Sequence, residues 1–236
     1  MATDKGFYVS LTTLFFDLDG TVSNNFQGIS RCLNFALERL GLRQLTDDEV
    51  LPFVGPPFRE SLPRVFPGIN TEAALHLYRE RYETSGWLEN SMYDGVAQAI
   101  RTLHLQGFTI VLCTSKPRIF AERIIHHFDL VRYFDGIHGP ELDGKFDRKT
   151  DLLAHLIEHY KAAPENALMI GDRNKDVEAA LHVGAHSLGV LWGFGSREEL
   201  LEAGAKHINL LPAQGSPEEN IERAAEIREE LHRLCR

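Results

Sequence analysis

Short apolar runs recur along this chain, each stopping abruptly on turn-forming or charged residues. Bounded runs of this kind predict buried strands. They fall at Leu11–Phe16, Phe108–Cys113, Phe134–His138, Ala167–Ile170 and Ser187–Leu191. Helical spacing of apolar positions covers Val96–Leu105, Pro117–Phe128, Arg148–His159, Lys175–Val183 and Ser196–Ala203. Strands alternating with helices predict an α/β fold, with a parallel sheet built from right-handed crossovers.

One interval breaks the alternation. After Leu11–Phe16 no convincing strand appears before Asp94, and the pattern reads as helices over Ile29–Leu40, Phe58–Val65 and Thr71–Thr84. A further helix is expected to start at Thr46-Asp47-Asp48-Glu49, which has the form of a capping box. A block of this length is too long for a loop. The expectation is a small helical module, residues 23–92, inserted into a discontinuous core of residues 1–22 and 93–236. Its hinges are expected near Ser23–Gln27 and Ser91–Gly95. A surface helix is expected after Pro212.

Composition narrows the classes. The chain has 236 residues, a net charge of −9 and 43% hydrophobic content. That is enough apolar material for a sizeable core. The acidic balance argues against nucleic acid as main partner, because phosphate-backbone binding needs a basic face. No apolar run is long enough to span a bilayer, and Met1–Gly6 lacks an apolar signal region. Cys32, Cys113 and Cys235 show no metal-ligand spacing. The expectation is a cytoplasmic protein without a membrane partner, either a monomer or a homodimer.

The chemistry concentrates at predicted strand ends. Leu14–Thr21 reads LFFDLDGT, placing Asp17 and Asp19 where the first strand stops. Carboxylates there lie where open α/β sheets bind ligands. Two so close repel each other unless a cation or a shared proton intervenes. Asp and Gly are also common turn residues, so this motif alone does not decide. Thr114-Ser115-Lys116-Pro117 follows the next strand, and a hydroxyl with successive N–H groups at a strand-to-helix turn can cradle phosphate. Lys149 begins a later helix. Gly171-Asp172-Arg173-Asn174-Lys175-Asp176 follows the strand ALMI. Asp143 and Asp147 read as loop acids, Arg173 as a solvated side chain with ordering of the Asp172 loop as the alternative, and the histidines as surface or packing residues.

Together these segments resemble the haloacid dehalogenase (HAD) superfamily, specifically members with a helical cap between the first and second motifs. The matching elements are DLDGT (17–21), the hydroxyl of Thr114, Lys149 and GDRNKD (171–176), supported by VGPPF (54–58), YDGV (93–96) and GVLWGFGSREELLEAGA (189–205). Within the superfamily the chain looks like the phosphoglycolate phosphatase and bacterial 5′-nucleotidase branch. Where such relatives carry Asp-Ser near the hinge, this chain has Asn24-Asn25.

The resemblance implies a Rossmann-like, HAD-like core and hydrolysis of a small phosphate ester. It implies Asp17 as nucleophile, forming an aspartyl-phosphate, and Asp19 as general acid and base. Mg²⁺ would be bound by Asp17, the Asp19 backbone carbonyl and Asp172, with Asp176 ordering the metal's surroundings. Thr114, Ser115 and Lys149 would hold the phosphate. In the cap, Gly55 and Arg59 would take part in substrate choice, Arg59 meeting an anionic group; a solvated arginine is the competing expectation for it. The alternatives are a phosphomutase like β-phosphoglucomutase and a phospho-Asp signalling or binding protein.

Overall fold

The computed structural model describes residues 11–209. Met1–Gly6, Cys235 and the expected helix after Pro212 lie outside the described residues. The main sheet has six strands: β1 (Thr13–Phe16), β4 (Thr109–Cys113), β5 (Gly136–His138), β6 (Ala167–Gly171), β7 (His186–Val190) and β8 (His207–Asn209). Their order across the sheet is β5-β4-β1-β6-β7-β8, and every neighbouring pair is parallel.

The apolar runs lie at the centre because both faces of the sheet are covered. Leu14 and Phe16 of β1 point into one layer, against Val96, Ile100 and Leu103 of α5 (Val96–Leu105) and Ile124 and Ile125 of α6 (Arg118–His127). Phe15 points the other way, against Leu152, Leu153 and Leu156 of α7 (Lys149–His159) and Ala179 and Ala180 of α8 (Asn174–Val183). A strand buried on both faces needs apolar residues at successive positions. The chain builds outward from β1 through β4 to β5, then returns to β6 on the other side of β1. The strand order thus reverses at β1, and ligands of open α/β sheets bind beside the strand ends at such a switch point.

The interval after β1 is helical: α1 (Phe26–Arg39), α2 (Asp47–Val50), α3 (Phe58–Val65) and α4 (Thr71–Thr84). It packs around its own apolar cluster, including Ile29, Leu33, Leu37, Val50, Phe53, Leu62, Tyr78 and Tyr82, which Phe120 of α6 joins from the main body. The capping box at Thr46 forms, with Thr46 Oγ1 accepting from Glu49 N and Glu49 Oε2 accepting from Thr46 N. The helix it starts is short. It gives way at Val50 to a single 3₁₀ turn over Leu51–Phe53.

Two expectations change. The helical interval is flanked by two-residue strands, β2 (Ser23–Asn24) and β3 (Ser91–Met92), which pair antiparallel and tie its two connections together. The edge strand β8 also escaped the hydrophobic pattern. It follows α9 (Arg197–Glu202) and is only three residues long. Among the described residues no helix is long and apolar enough to cross a membrane.

Candidate active site

Asp17 continues β1 by one residue, its N–H donating to Ile170 O at 2.9 Å. The chain then turns sharply. Gly20 has φ +90°, and its N–H donates to Ser23 O at 2.8 Å. A side chain at Gly20 would put its Cβ 2.2 Å from Asp172 Oδ2. Glycine is needed here both for the backbone conformation and for the close approach of the two loops.

Asp172 leaves the end of β6 and is wholly buried. Thr21 Oγ1 donates to its Oδ1 at 3.2 Å and Phe194 N to its Oδ2 at 2.8 Å. Trp192 Nε1 in turn donates to Thr21 O at 3.0 Å, bracing the turn that carries Thr21. Asp176, in the first turn of α8, accepts from Lys149 Nζ at 2.5 Å and from Arg173 N at 3.0 Å. Both oxygens of Asp176 are thereby engaged.

Lys149 stands at the start of α7 with Nζ 2.9 Å from Asp17 Oδ1. The structure therefore brings Asp17, Asp172, Asp176 and Lys149 into one buried group. Carboxylate oxygens of the three acids lie within 4.8 Å of one another. Burial, then the charges of Asp176 and Asp17, push Asp172 up to about 8. Asp176 rises to about 6, with burial the main cause and Lys149 opposing it. Burial works against the Lys149 ammonium, but Asp17 and Asp176 more than offset it and hold its pKa above the usual lysine value.

The end of β4 supplies the other side. Thr114 is buried, its N–H donates to His138 O, and its Oγ1 accepts from Lys116 N at 3.2 Å. Asp17, Asp19, Thr114, Ser115 and Lys116 line one end of a cavity of about 110 Å³. Phe53, Gly55, Phe58, Arg59, Tyr78 and Tyr82 of the helical segment line it as well.

Sequence reasoning left Lys116 without a role. It is buried, with Nζ 2.7 Å from Asp19 Oδ2 and 4.8 Å from the centre of the Tyr82 ring. A lysine two residues after the strand-end hydroxyl of Thr114 was the available signal. Asp147 also needs correcting, because it pairs with Arg59 Nη1 at 2.9 Å and lines the cavity. Arg59 additionally meets Glu72 at 2.8 Å, so it is a paired and only partly exposed side chain. Arg173 is likewise not a solvated side chain. Its Nε pairs with Glu199 at 2.9 Å and its Nη1 donates to Val54 O in the helical segment. Gly55 has φ +104° and lies beside the Arg173 stem. Asn25 of the hinge pair is fully buried at the start of α1.

The family model described as haloacid dehalogenase-like hydrolase matches residues 14–190. A 5′-nucleotidase of Pseudomonas aeruginosa is 39% identical over 189 residues, covering 79% of this chain and 86% of that protein. The tyrosine-protein kinase PtkA of Mycobacterium tuberculosis is 36% identical over 180 residues, which span 76% of this chain and 62% of that protein. Among solved structures, a predicted phosphatase from Clostridium acetobutylicum superposes with a TM-score of 0.83 at 35% identity, covering 93% of this chain and 99% of that one.

Proposed function

The chain belongs to the haloacid dehalogenase-like hydrolases, and we propose that it is a Mg²⁺-dependent phosphomonoesterase that works through an aspartyl-phosphate on Asp17. The observation that carries this reading is the convergence of Asp17, Asp19, Thr114 and Asp172 from three strand ends, and of Lys149 from the start of α7, on one switch point. The substrate is a small phosphate ester, and similarity to the P. aeruginosa protein named 5′-nucleotidase supports the nucleoside 5′-monophosphate class ahead of phosphoglycolate.

In this mechanism the Asp17 carboxylate attacks phosphorus, the ester P–O bond breaks, and Asp19 protonates the departing alkoxide. Asp19 then takes a proton from water, whose oxygen attacks the same phosphorus. The bond to Asp17 breaks and inorganic phosphate leaves. Thr114, Ser115 and Lys149 hold the non-bridging oxygens, where a buried ammonium and oriented donors act in a low dielectric.

The acid cluster fits a hard dication. It offers carboxylates alone, and the bonds from Thr21 and Phe194 do not offset the burial and the two neighbouring charges that act on Asp172. Asp17, Asp172 and the Asp19 carbonyl would hold Mg²⁺, which favours oxygen ligands. Asp176, with both oxygens engaged by Lys149 and Arg173, would fix the surroundings of the site. Bound there, the dication would offset the negative charge of nucleophile and phosphate.

Residues 23–92 act as a cap over the cavity and exclude water from it. Arg59 and Gly55 lie on the cap side of the cavity and contribute to choice of leaving group. The decisive test is inorganic phosphate release from nucleoside monophosphates, phosphoglycolate and sugar phosphates, with Mg²⁺ and with EDTA. Release should depend on Mg²⁺ and vanish in Asp17→Asn. Turnover by Asp17→Asn at the wild-type rate would overturn the mechanism.

A further inference from the structure

We propose that Lys116 is a positioning residue for the acid/base carboxylate, locking Asp19 so that one chosen oxygen meets the leaving group. The proposal rests on the reading of Asp19 as the general acid.

A carboxylate at the end of a short side chain turns through a broad, roughly two-fold torsion. Unless one oxygen is held, either can face the substrate. Here Asp19 Oδ2 is held 2.7 Å from Lys116 Nζ, and the Asn25 side chain lies against the same carboxylate. This carboxylate lines the cavity beside Asp17.

The lysine is itself fixed. Its N–H donates to Thr114 Oγ1, and its carbonyl packs where a Cβ on Gly139 would lie at 2.2 Å. Pro117 follows and ends the freedom of the loop. The ammonium then meets the face of Tyr82, delivered by α4 from the helical segment. Tyr82 is 1% exposed, and the buried Asn25 side chain borders both Tyr82 and Asp19. Lys116 thus joins the acid to Tyr82 of the helical segment. A lysine serving only to balance a buried charge would have no bearing on which bond needs a proton.

That difference is measurable. Loss of a p-nitrophenolate leaving group needs no proton, whereas loss of an alkoxide does. Phosphorylation of Asp17 is followed by rapid quench with p-nitrophenyl phosphate and with an alkyl phosphate, for wild type, Asp19→Asn, Lys116→Met and Lys116→Gln. Folding of each variant is checked by thermal melts with and without Mg²⁺. In Lys116→Met the alkyl reaction should slow by at least about tenfold, a share of what a positioned acid contributes. The p-nitrophenol burst should stay within about threefold of wild type on the same grounds. Lys116→Gln reports the same ratio if the methionine variant does not fold. Equal losses on both esters, or no loss on either, overturn the proposal. If Asp19→Asn shows the leaving-group bias and the Lys116 variants do not, the role of Lys116 alone fails. If Asp19→Asn shows no bias, the acid/base reading of Asp19 fails first and takes the proposal with it.

Discussion

Lys149 lies 2.9 Å from Asp17 and 2.5 Å from Asp176, so one ammonium separates two of the three acids that crowd the end of β1. All of these side chains are almost completely buried. Removing one partner from a buried ionic group leaves the others uncompensated, at about 3–5 kcal/mol. Lys149→Met is therefore expected to melt well below wild type and to recover more stability from Mg²⁺ than wild type does. Turnover should fall roughly 10²–10³-fold, as when one preorganised donor to a transition state is removed. Thermal melts and phosphate-release rates check both parts. A variant with normal melting and normal turnover would contradict this account of the group.

Asp172 gives the site a pH dependence whose sign can be worked out. Its ordinary value of 3.8 is pushed up to about 8 in the folded protein, first by burial and then by Asp176 and Asp17. Below 3.8 both folded and unfolded chains carry the proton. Between 3.8 and about 8 only the folded chain keeps it, so Asp172 opposes folding increasingly as pH rises through this window. In EDTA the melting temperature of wild type, measured relative to Asp172→Asn, should decline through the window and level off above it. Mg²⁺ has to displace that proton, so its stabilising effect should grow over the same range. A wild-type-minus-variant difference that is flat with pH would refute the assignment.

Much of this site is legible in the chain because strand ends are local features. Leu14–Phe16 is apolar since β1 is covered on both faces, and Asp17 begins where that cover ends. The same local logic places Thr114 after β4 and Asp172 after β6. Lys116, Arg173 and Asp147 could not be read this way. Their partners are Asp19 and Tyr82, Val54 and Glu199, and Arg59, all set by how the helical segment and the loops come together. Strands β2 and β3 are too short to carry an apolar alternation, and their pairing joins residues distant in sequence.

Gly20 tests the close approach of the two acidic loops. Its φ of +90° is unfavourable for any residue with a Cβ, at a cost of about 1–3 kcal/mol. An alanine Cβ would also lie 2.2–2.5 Å from three Asp172 side-chain atoms. Asp172 is pinned by Thr21 and Phe194, so it cannot yield without losing those bonds. Gly20→Ala should lower both the melting temperature and the Mg²⁺ dependence of turnover. Gly41→Ala is the control, since Gly41 also has positive φ and nothing lies within 4 Å of the place an alanine methyl would take there. It should cost stability while leaving the response to Mg²⁺ as in wild type. Equal Mg²⁺ responses in both variants would show that the Gly20–Asp172 contact has no bearing on the metal site.

Arg59 bridges Glu72 of its own segment and Asp147 of the main body, and also donates to Leu142 O at 3.3 Å. Its side chain is 28% exposed and that of Asp147 26%. Partly solvated pairs of this kind contribute no more than about 1 kcal/mol. Arg59→Ala should therefore barely move the melting temperature. Its effect should fall on the substrate, because Arg59 lines the cavity from the helical segment. The expected result is a raised KM for an ester with a second anionic group, and an unchanged KM for p-nitrophenyl phosphate. Asp147→Asn separates recognition from bracing. If Asp147 only holds Arg59 in place, the two substitutions should raise the same KM, and the double variant should be no worse than Arg59→Ala. Independent, additive effects would mean that Asp147 acts on the substrate by another route, and equal KM changes for both esters would remove Arg59 from substrate choice.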